Sequence, residues 1–138
     1  MKIVKWIAIA LLIYVALIVT FESLIGFFQP ANQSTLVISV VDSDGNEADR
    51  VLARLQSDDK LYVAANHWPR AWYRKALANP NVHVTLDGEK GAYLAVPVVA
   101  GSNEHERVNR DNSVGVLFRI LTGFPPRYFL RLEPRAEP

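Results

Sequence analysis

The chain has 138 residues, enough for one domain, and half of them are hydrophobic. Beyond residue 29 the charges balance: 13 of the 15 basic residues remain once Lys2 and Lys5 are set apart, and 13 of the 14 acidic ones once Glu22 is set apart. This neutrality argues against a general nucleic-acid-binding function, and the absence of cysteine excludes a disulfide framework and a thiolate metal site.

The first predicted element is a membrane-spanning helix at the N-terminus. The 23 residues from Trp6 to Phe28 are apolar almost throughout, with Glu22 as the one charge, and a spanning helix needs roughly 20 residues. A cleaved signal peptide is the alternative. It would need a shorter apolar stretch and a small-x-small cleavage site, which residues 29–32 match poorly. We therefore expect an uncleaved anchor over residues 1–29 and a polar linker over residues 30–34.

The positive charges around this helix indicate its orientation. Lys2 and Lys5 precede the apolar stretch, and the next basic residue is Arg50. Because positively charged flanks stay on the cytoplasmic side, the pattern favours an N-terminus inside. The following domain is then expected outside, on the periplasmic side in a bacterium.

The residues that follow alternate between short apolar segments and turns, which is typical of antiparallel strands. Thr35–Val41 is β-branched and apolar and is predicted to be a buried strand, followed by a turn over residues 42–46. Residues 47–56 fit a helix face as well as they fit an alternating strand. After a turn at residues 57–59, the next strand is predicted at Leu61–Ala65.

A short helix over residues 68–78 is predicted between two strands. Trp68, Trp72 and Ala76 follow one another at intervals of four residues, which places them on one face of a helix. Pro80 ends the element, because the residue before a proline is disfavoured in helical geometry.

A hairpin comes next. Residues 82–86 alternate as a half-buried strand, and a turn over residues 87–91 leads to a return strand over residues 92–99. Pro97 lies within this return strand, and a proline there indicates an edge or a bulge.

The last predicted elements are an interrupted helix and a strand. The helix begins at Ser102 or Asn103 and continues, with a break near residues 112–115, as far as the Gly-Pro-rich residues 123–126. Tyr128–Leu132 is the final strand. Short antiparallel strands with two inserted helical segments predict an α+β, mostly β fold: a small antiparallel barrel with helices over its openings.

One stretch is distinguished by its chemistry. His67 to Lys75 contains two Trp, a Tyr, a His and three basic side chains. Trp72 fits core packing, whereas Trp68 fits packing and cofactor stacking equally. Arg70 and Arg74 are either a clamp for a phosphate or carboxylate at the mouth of the helix or ordinary solvated charges. The histidines lie far apart in the sequence, so no metal site is predicted.

The order of these residues resembles a known family. The residues that carry the resemblance are Leu61 to Asn66, Ala71-Trp72-Tyr73, Leu77-Ala78-Asn79-Pro80, Val82-His83-Val84 and the terminal Leu132-Glu133-Pro134. They are similar to motifs of the deazaflavin (F420)-dependent nitroreductases, relatives of the flavin-binding, pyridoxamine-phosphate-oxidase-like split barrels. The resemblance covers about residues 35–134 and leaves residues 135–138 as a tail.

The resemblance implies a split β-barrel with residues 47–56 as a strand. It implies F420 or FMN in a groove of the barrel, without a metal, and hydride transfer from the reduced cofactor to a quinone-like or nitroaromatic acceptor. Related barrels are often homodimers, and a membrane anchor suits a lipid-soluble quinone. Catalytic residues stay unassigned. The cofactor-side residues that the resemblance implies are Asn66, His67, Trp68, Arg70, Trp72, Tyr73 and Arg74.

The turn between the first two strands departs from the family. Relatives carry a basic Lys-Ser-Gly-type turn for the phosphate of the cofactor, but this chain has Asp42, Asp44, Glu47 and Asp49 around Gly45. Carboxylates repel a phosphate. Either the anionic tail is held elsewhere, or the cofactor is different, or the barrel has lost it and is a non-catalytic binding or scaffold module at the membrane.

Positive charge is concentrated towards the C-terminus. Residues 107–135 contain six Arg against Asp111 and Glu133, whereas residues 42–59 contain six acids against two Arg. The arginine-rich side is either a solvated face or a site for anions.

The orientation can be measured with reporters fused after Pro138. We expect an alkaline phosphatase fusion to be active and a green fluorescent protein fusion to be dark, because Lys2 and Lys5 hold the N-terminus inside. Exchanging both lysines for glutamates should weaken this preference. A fluorescent fusion without phosphatase activity would place the domain in the cytoplasm, where F420 is within reach.

Overall fold

A computed structural model of the chain describes residues 1–28, 35–65 and 71–136. The first helix, α1, covers Lys2–Phe28. Its segment Lys2–Leu24 is long and apolar enough to cross a membrane, and none of it is buried against the rest of the chain. A signal sequence near the N-terminus has the same length and apolar composition.

Seven antiparallel strands form one curled sheet in the order β2-β1-β5-β6-β7-β4-β3. The strands are β1 (Thr35–Val41), β2 (Glu47–Ala53), β3 (Leu55–Ser57), β4 (Lys60–Ala65), β5 (Asn81–Leu86), β6 (Glu89–Pro97) and β7 (Tyr128–Pro134). Three further helices, α2 (Ala71–Ala78), α3 (Asn103–Asp111) and α4 (Val116–Leu121), are inserted after β4 and before β7.

The two edge strands of the sheet are consecutive in the chain. β2 and β3 lie at opposite edges, yet only Arg54 separates Ala53 from Leu55. The sheet must therefore curl until its edges come within one residue of each other, which makes it a half-barrel. Arg54 Nη2 donates to Asp87 Oδ2 at 3.0 Å, and this ion pair joins the bend to the turn between β5 and β6.

The concave side of the sheet holds the main core. Its members are side chains that point inward from β1, β2 and β4 to β7. They are Leu36, Ile38, Val40, Leu52, Val63, Ala65, Val82, Val84, Ala95, Leu130 and Leu132, all buried. Such contiguous burial of aliphatic side chains is the dominant stabilising contribution in a domain of this size.

Two hairpins close with two-residue turns in which both central residues have positive φ. Asp87 and Gly88 have φ values of 51° and 86°, and Asp58 and Asp59 have 51° and 58°. This geometry matches the right-handed twist of the flanking strands. The β5–β6 turn is thus shorter than the predicted residues 87–91, because Glu89, Lys90 and Gly91 already pair with β5.

The helix α3 packs on the outer face of the barrel. Ser102 caps its N-terminus by accepting a hydrogen bond from His105 N at 3.2 Å. Val108 is fully buried against Tyr62 and Phe129 of the sheet. Because α3 has only this one buried residue, apolar contact alone holds it weakly.

A polar network supplies the rest of the contact between α3 and the sheet. Glu104 Oε1 accepts hydrogen bonds from Tyr62 Oη at 2.8 Å and from Arg131 Nη1. Arg107 donates from Nη2 to Tyr62 Oη at 3.2 Å and from Nε to Ser57 Oγ at 3.0 Å. Burial alone would raise the pKa of Glu104, but the hydrogen bonds from Arg131 and Tyr62 hold it below its ordinary value of 4.5.

The structure confirms most of the predicted elements. The small antiparallel barrel with short helices is present, the ambiguous residues 47–56 are strand apart from Arg54, and Ser102 caps a helix that is interrupted before Gly115.

Pro97 ends β6, an interior strand. It lies beyond Leu94, the last residue of β6 paired with β5, so its missing N–H interrupts no ladder on that side.

Replacing Glu104 should weaken the attachment of α3. Glu104→Gln keeps the shape but loses the charge that binds Arg131, and we expect the free energy of unfolding at neutral pH to fall by ~1–2 kcal/mol. Glu106→Gln, on the exposed side of the same helix, is the matched control and should change little.

The pH dependence has a definite sign. Because the folded-state pKa of Glu104 is lowered, its contribution is complete above the unfolded value of 4.5 and is lost as the pH falls through the folded value. Unfolding of the full chain in neutral detergent, followed by Trp fluorescence down to about pH 3, should show a steeper acid loss in the wild type than in Glu104→Gln. Parallel curves would contradict this assignment.

Candidate functional site at the α2 end of the barrel

The α2 helix lies at the end of the barrel where β1 and β4 finish. Adjacent strands are antiparallel throughout the sheet, so β1, β6 and β4 run in one direction. The turn after β1 and the segment after β4 are therefore at the same end. The charge of Lys75 in the last turn of α2 acts on Asp42 of the β1–β2 turn, which agrees with this placement.

The inner face of α2 is anchored in the core. Trp72 is 8% exposed and Ala76 is buried, and the two belong to the core cluster. They are four residues apart, as the sequence predicted for one helix face. Asn79 N donates to Lys75 O at 2.9 Å and closes the last turn before Pro80.

An aromatic row runs from this helix to β7. The rings of Trp72 and Tyr73 meet edge to face with centroids 5.9 Å apart, and Tyr73 stacks on Tyr128 at 5.7 Å with 24° between the planes. Tyr128 was predicted only as the first residue of a strand. Its part in the row depends on a contact between residues 55 positions apart, which leaves no local signal in the sequence.

The remaining predicted site residues divide into two groups. Arg74 is exposed on α2, where a ligand outside the barrel could reach it. The other four predicted residues, Asn66, His67, Trp68 and Arg70, lie outside the described residues, so their positions relative to the aromatic row stay predictions.

The β1–β2 turn is organised by its own first acid. The carboxylate of Asp42 accepts hydrogen bonds from the backbone N–H groups of Asp44 and Asn46, both at 2.9 Å through Oδ1. The bond from Asn46 is the main reason that the pKa of Asp42 is lowered. Gly45, with φ 83°, makes the chain reversal possible.

Two further acids of this region also have partners on other strands, Asp49 on the adjacent β1 and Glu47 on β6, which lies beyond β1 and β5 in the sheet. Asp49 Oδ1 accepts from Ser39 Oγ at 2.6 Å, and Glu47 Oε1 pairs with Lys90 Nζ at 2.7 Å. The hydrogen bond from Lys90 lowers the pKa of Glu47. The acidic turn is thus a folded structure with its own counter-charges.

A phosphate does not fit the β1–β2 turn. A turn that binds phosphate presents free backbone N–H groups, but here the carboxylate of Asp42 already occupies those of Asp44 and Asn46. Any anionic cofactor in this region would need its phosphate held by other groups. Arg74 and Lys75 are the cations that the described residues of α2 supply at that end.

The structure also has two cavities that neither Tyr73 nor Arg74 lines. One, of about 400 Å³, is at the opposite end of the barrel, beside Arg54 and the β3–β4 turn. The other, of about 340 Å³, lies between α3, α4 and the turn before β7. Within the described ranges no three His, Asp or Glu side chains are grouped as they would be around a metal ion.

No family model matches this chain, and no curated protein matches it in sequence. Solved structures do match. HutZ, the haem storage protein from Vibrio cholerae, superposes with a TM-score of 0.58 over 77% of this chain and 84% of its own, at 19% identity. An F420-H2 dependent reductase, FDR-A, gives 0.51 over 72% of this chain and 96% of its own, at 14% identity.

A putative pyridoxamine 5'-phosphate oxidase from Listeria innocua gives a TM-score of 0.50 over 75% of this chain and 85% of its own, at 15% identity. This chain has a split-barrel fold. At such low identities the likeness establishes the fold alone. It agrees with the fold that the sequence resemblance implied. The three similar proteins are described as a haem storage protein, an F420-H2 dependent reductase and a putative pyridoxamine 5'-phosphate oxidase.

Removal of the Trp72 side chain tests its place in the core. We expect Trp72→Ala to lower the free energy of unfolding by ~3–5 kcal/mol, since a large buried aromatic side chain leaves a cavity. Leu77→Ala, a residue of the same helix that is 44% exposed, should cost under about 1 kcal/mol. Unaltered melting of Trp72→Ala, with loss of ligand binding, would show that the side chain serves a ligand instead of the core.

Proposed function

We propose that the chain is a membrane-anchored oxidoreductase of the deazaflavin-dependent nitroreductase type. In this proposal it binds F420 or FMN and passes a hydride from the reduced cofactor to a quinone-like or nitroaromatic acceptor. The observation that carries the proposal is the aromatic and basic α2 segment at one end of a split barrel, in the order of residues that resembles the nitroreductases. The fold of the F420-H2 dependent reductase supports it.

The residues of the chain would bind and orient the cofactor, which supplies the hydride. Tyr73 is half-buried in the aromatic row and offers a flat surface beside the exposed face of α2. Because the β1–β2 turn does not fit a phosphate, we assign the anionic tail to Arg74 of α2 and to Arg70, which comes just before α2 in the sequence. Asn66, His67 and Trp68 would complete the wall of the groove.

A non-catalytic barrel is the second candidate. The observation that favours it is the acidic β1–β2 turn, which Asp42 and the Glu47–Lys90 ion pair stabilise without any ligand. In that case the barrel would be a binding or scaffold module held at the membrane. The two candidates differ in one measurable property, the affinity for a flavin-like ligand.

The domain organisation belongs to the same proposal. Residues 1–29 would anchor the protein, residues 30–34 would link, and residues 35–134 would form the barrel, on the outer side of the membrane. The apolar length of α1 supports the anchor. A lipid-soluble quinone would then be within reach of the barrel. A homodimer is also proposed, since one similar solved structure is described as a domain-swapped dimer.

Ligand titration decides between the two candidates. We expect FMN or F420 to bind the full chain in neutral detergent with micromolar affinity, measured by the absorbance and fluorescence of the ligand, and haem is titrated in parallel. Arg74→Ala should weaken flavin binding about tenfold, because a charge-assisted hydrogen bond to phosphate is lost. Arg110→Ala, an exposed arginine on α3, is the matched control.

The variant Asp44→Lys tests whether the anionic tail of the cofactor lies at the β1–β2 turn. It reverses a charge at the turn while leaving the carboxylate of Asp42 in place. If the tail lies at the turn, this variant tightens binding and Arg74→Ala has no effect. Absence of binding by FMN, F420 and haem alike would end the oxidoreductase proposal in favour of the scaffold.

A further inference from the structure

The cavity between α3 and α4 is rich in positive charge. Arg119 and Arg127 line it together with His105, Asn109 and polar groups of the connecting loops. Among the described residues that line it there is no carboxylate. The sequence had shown six Arg in this part of the chain, and the structure separates them: Arg107 and Arg131 belong to the network under α3, while Arg119 and Arg127 face the cavity.

Two asparagines and an aromatic ring contact the guanidinium group of Arg127. Its Nη1 donates to Asn109 Oδ1 at 2.7 Å and to the carbonyl of Asn112 at 2.8 Å, and its guanidinium lies 4.8 Å from the ring centre of Phe129. Burial, and then the positive charge of Arg119, lowers the pKa of Arg127. Both guanidinium groups line the same cavity, where their like charges repel each other. An anion between them would relieve that repulsion and find planar donors suited to phosphate.

The outer wall of this cavity is an apolar helix. Val116 and Leu117 of α4 are 69% and 70% exposed, and Phe124 in the following turn is 54% exposed. Ile120 is 41% exposed on the same helix. Large side chains grouped in this way on one short element form an apolar patch of the kind that marks an interaction surface.

The patch is continuous with the proposed membrane anchor. Phe118 of α4 meets Phe21 of α1 edge to face with ring centres 6.0 Å apart, and Tyr14 Oη donates to the carbonyl of Ile120 at 2.8 Å. Phe21 is seven residues, about 10 Å, from the end of α1 at Phe28. Tyr14 and Phe21 both belong to the apolar length Lys2–Leu24 of α1, so lipid that surrounds this part of α1 also meets α4.

We propose that the α3–α4 cavity binds the phosphate of an anionic membrane phospholipid, with the exposed side of α4 in contact with its acyl chains. Arg119 and Arg127 hold the phosphate, and Val116, Leu117 and Phe124 face the lipid. This inference rests on the anchoring of α1 proposed above. A phosphate group could also come from a soluble molecule, and the apolar patch beside the cavity is what selects the lipid.

Lipid binding is measured by calorimetry on the full chain in neutral detergent, titrated with phosphatidylglycerol dispersed in the same detergent. We expect saturable binding that is at least ~tenfold weaker in Arg119→Gln. Arg110→Gln removes the same charge from an exposed position on α3 outside the cavity, and it should stay within about twofold of the wild type, since exposed charges contribute little.

Three results would overturn the assignment. Equal losses in Arg119→Gln and Arg110→Gln would mean unspecific attraction of charge. Equal binding of phosphatidylcholine would remove the preference for an anionic lipid. Inorganic phosphate or glycerol phosphate that competes at the same concentration as the lipid would make the cavity a site for a soluble phosphate.

The contact of α4 with lipid has its own test, which the absence of native cysteine makes simple. Single cysteines replace Leu117 in α4, Leu77 in α2 and Leu12 in α1, each an exposed leucine, and carry an environment-sensitive fluorophore in vesicles of phosphatidylcholine and phosphatidylglycerol. We expect quenchers attached to lipid chains to reduce the fluorescence of the label on Leu117→Cys and on Leu12→Cys and to leave that on Leu77→Cys unchanged. Quenching of Leu117→Cys only by aqueous iodide would refute the lipid contact. Quenching of the fluorophore on Leu12→Cys by aqueous iodide would instead refute the membrane anchor.

Discussion

The fold depends on the covalent continuity of its two edge strands at Arg54. A flat seven-stranded sheet could not have β2 at one edge and β3 at the other with a single residue between them. The chain therefore imposes curvature on every strand between, and the curvature creates the concave side that the aliphatic core fills. The barrel therefore has two different ends. One carries α2 and the acidic β1–β2 turn, and the other carries the bend and the Arg54–Asp87 ion pair.

Several charged side chains of the described residues hold elements together. Asp42 closes its own turn, Glu47 joins β2 to β6 through Lys90, and Glu104 joins α3 to Arg131. The acids that the sequence suggested would repel a cofactor are thus structural groups. The arginines towards the C-terminus do not form one face, because Arg107 and Arg131 hold α3 while Arg119 and Arg127 line the α3–α4 cavity. Among the described residues, the exposed side of α2 and the two arginines of the α3–α4 cavity stay available to ligands.

The order and type of the elements could be predicted from the sequence because they depend on local signals: β-branched runs, Asp-Gly turns, Pro80 and the Ser102 cap. Residues 47–56 could not be decided by periodicity, since Leu52 is the only residue of β2 that is fully buried and the pairing with β1 determines the strand. The site was predicted less completely. The sequence predicted Trp72 and Tyr73 on a short helix. The contacts of Tyr128 with Tyr73 and of Lys90 with Glu47 join distant parts of the chain and leave no local signal.

The small apolar contact area between α3 and the sheet affects how the protein unfolds locally. With Val108 as the one buried residue of α3 and none in α4, the helical layer gains little from burial, whereas the barrel encloses a continuous core. Local stability in proteins follows such differences. The amide protons of α3 and α4 should therefore exchange with solvent through partial openings that leave the strands closed, and the barrel would persist as a cooperative unit while the helices detach and return.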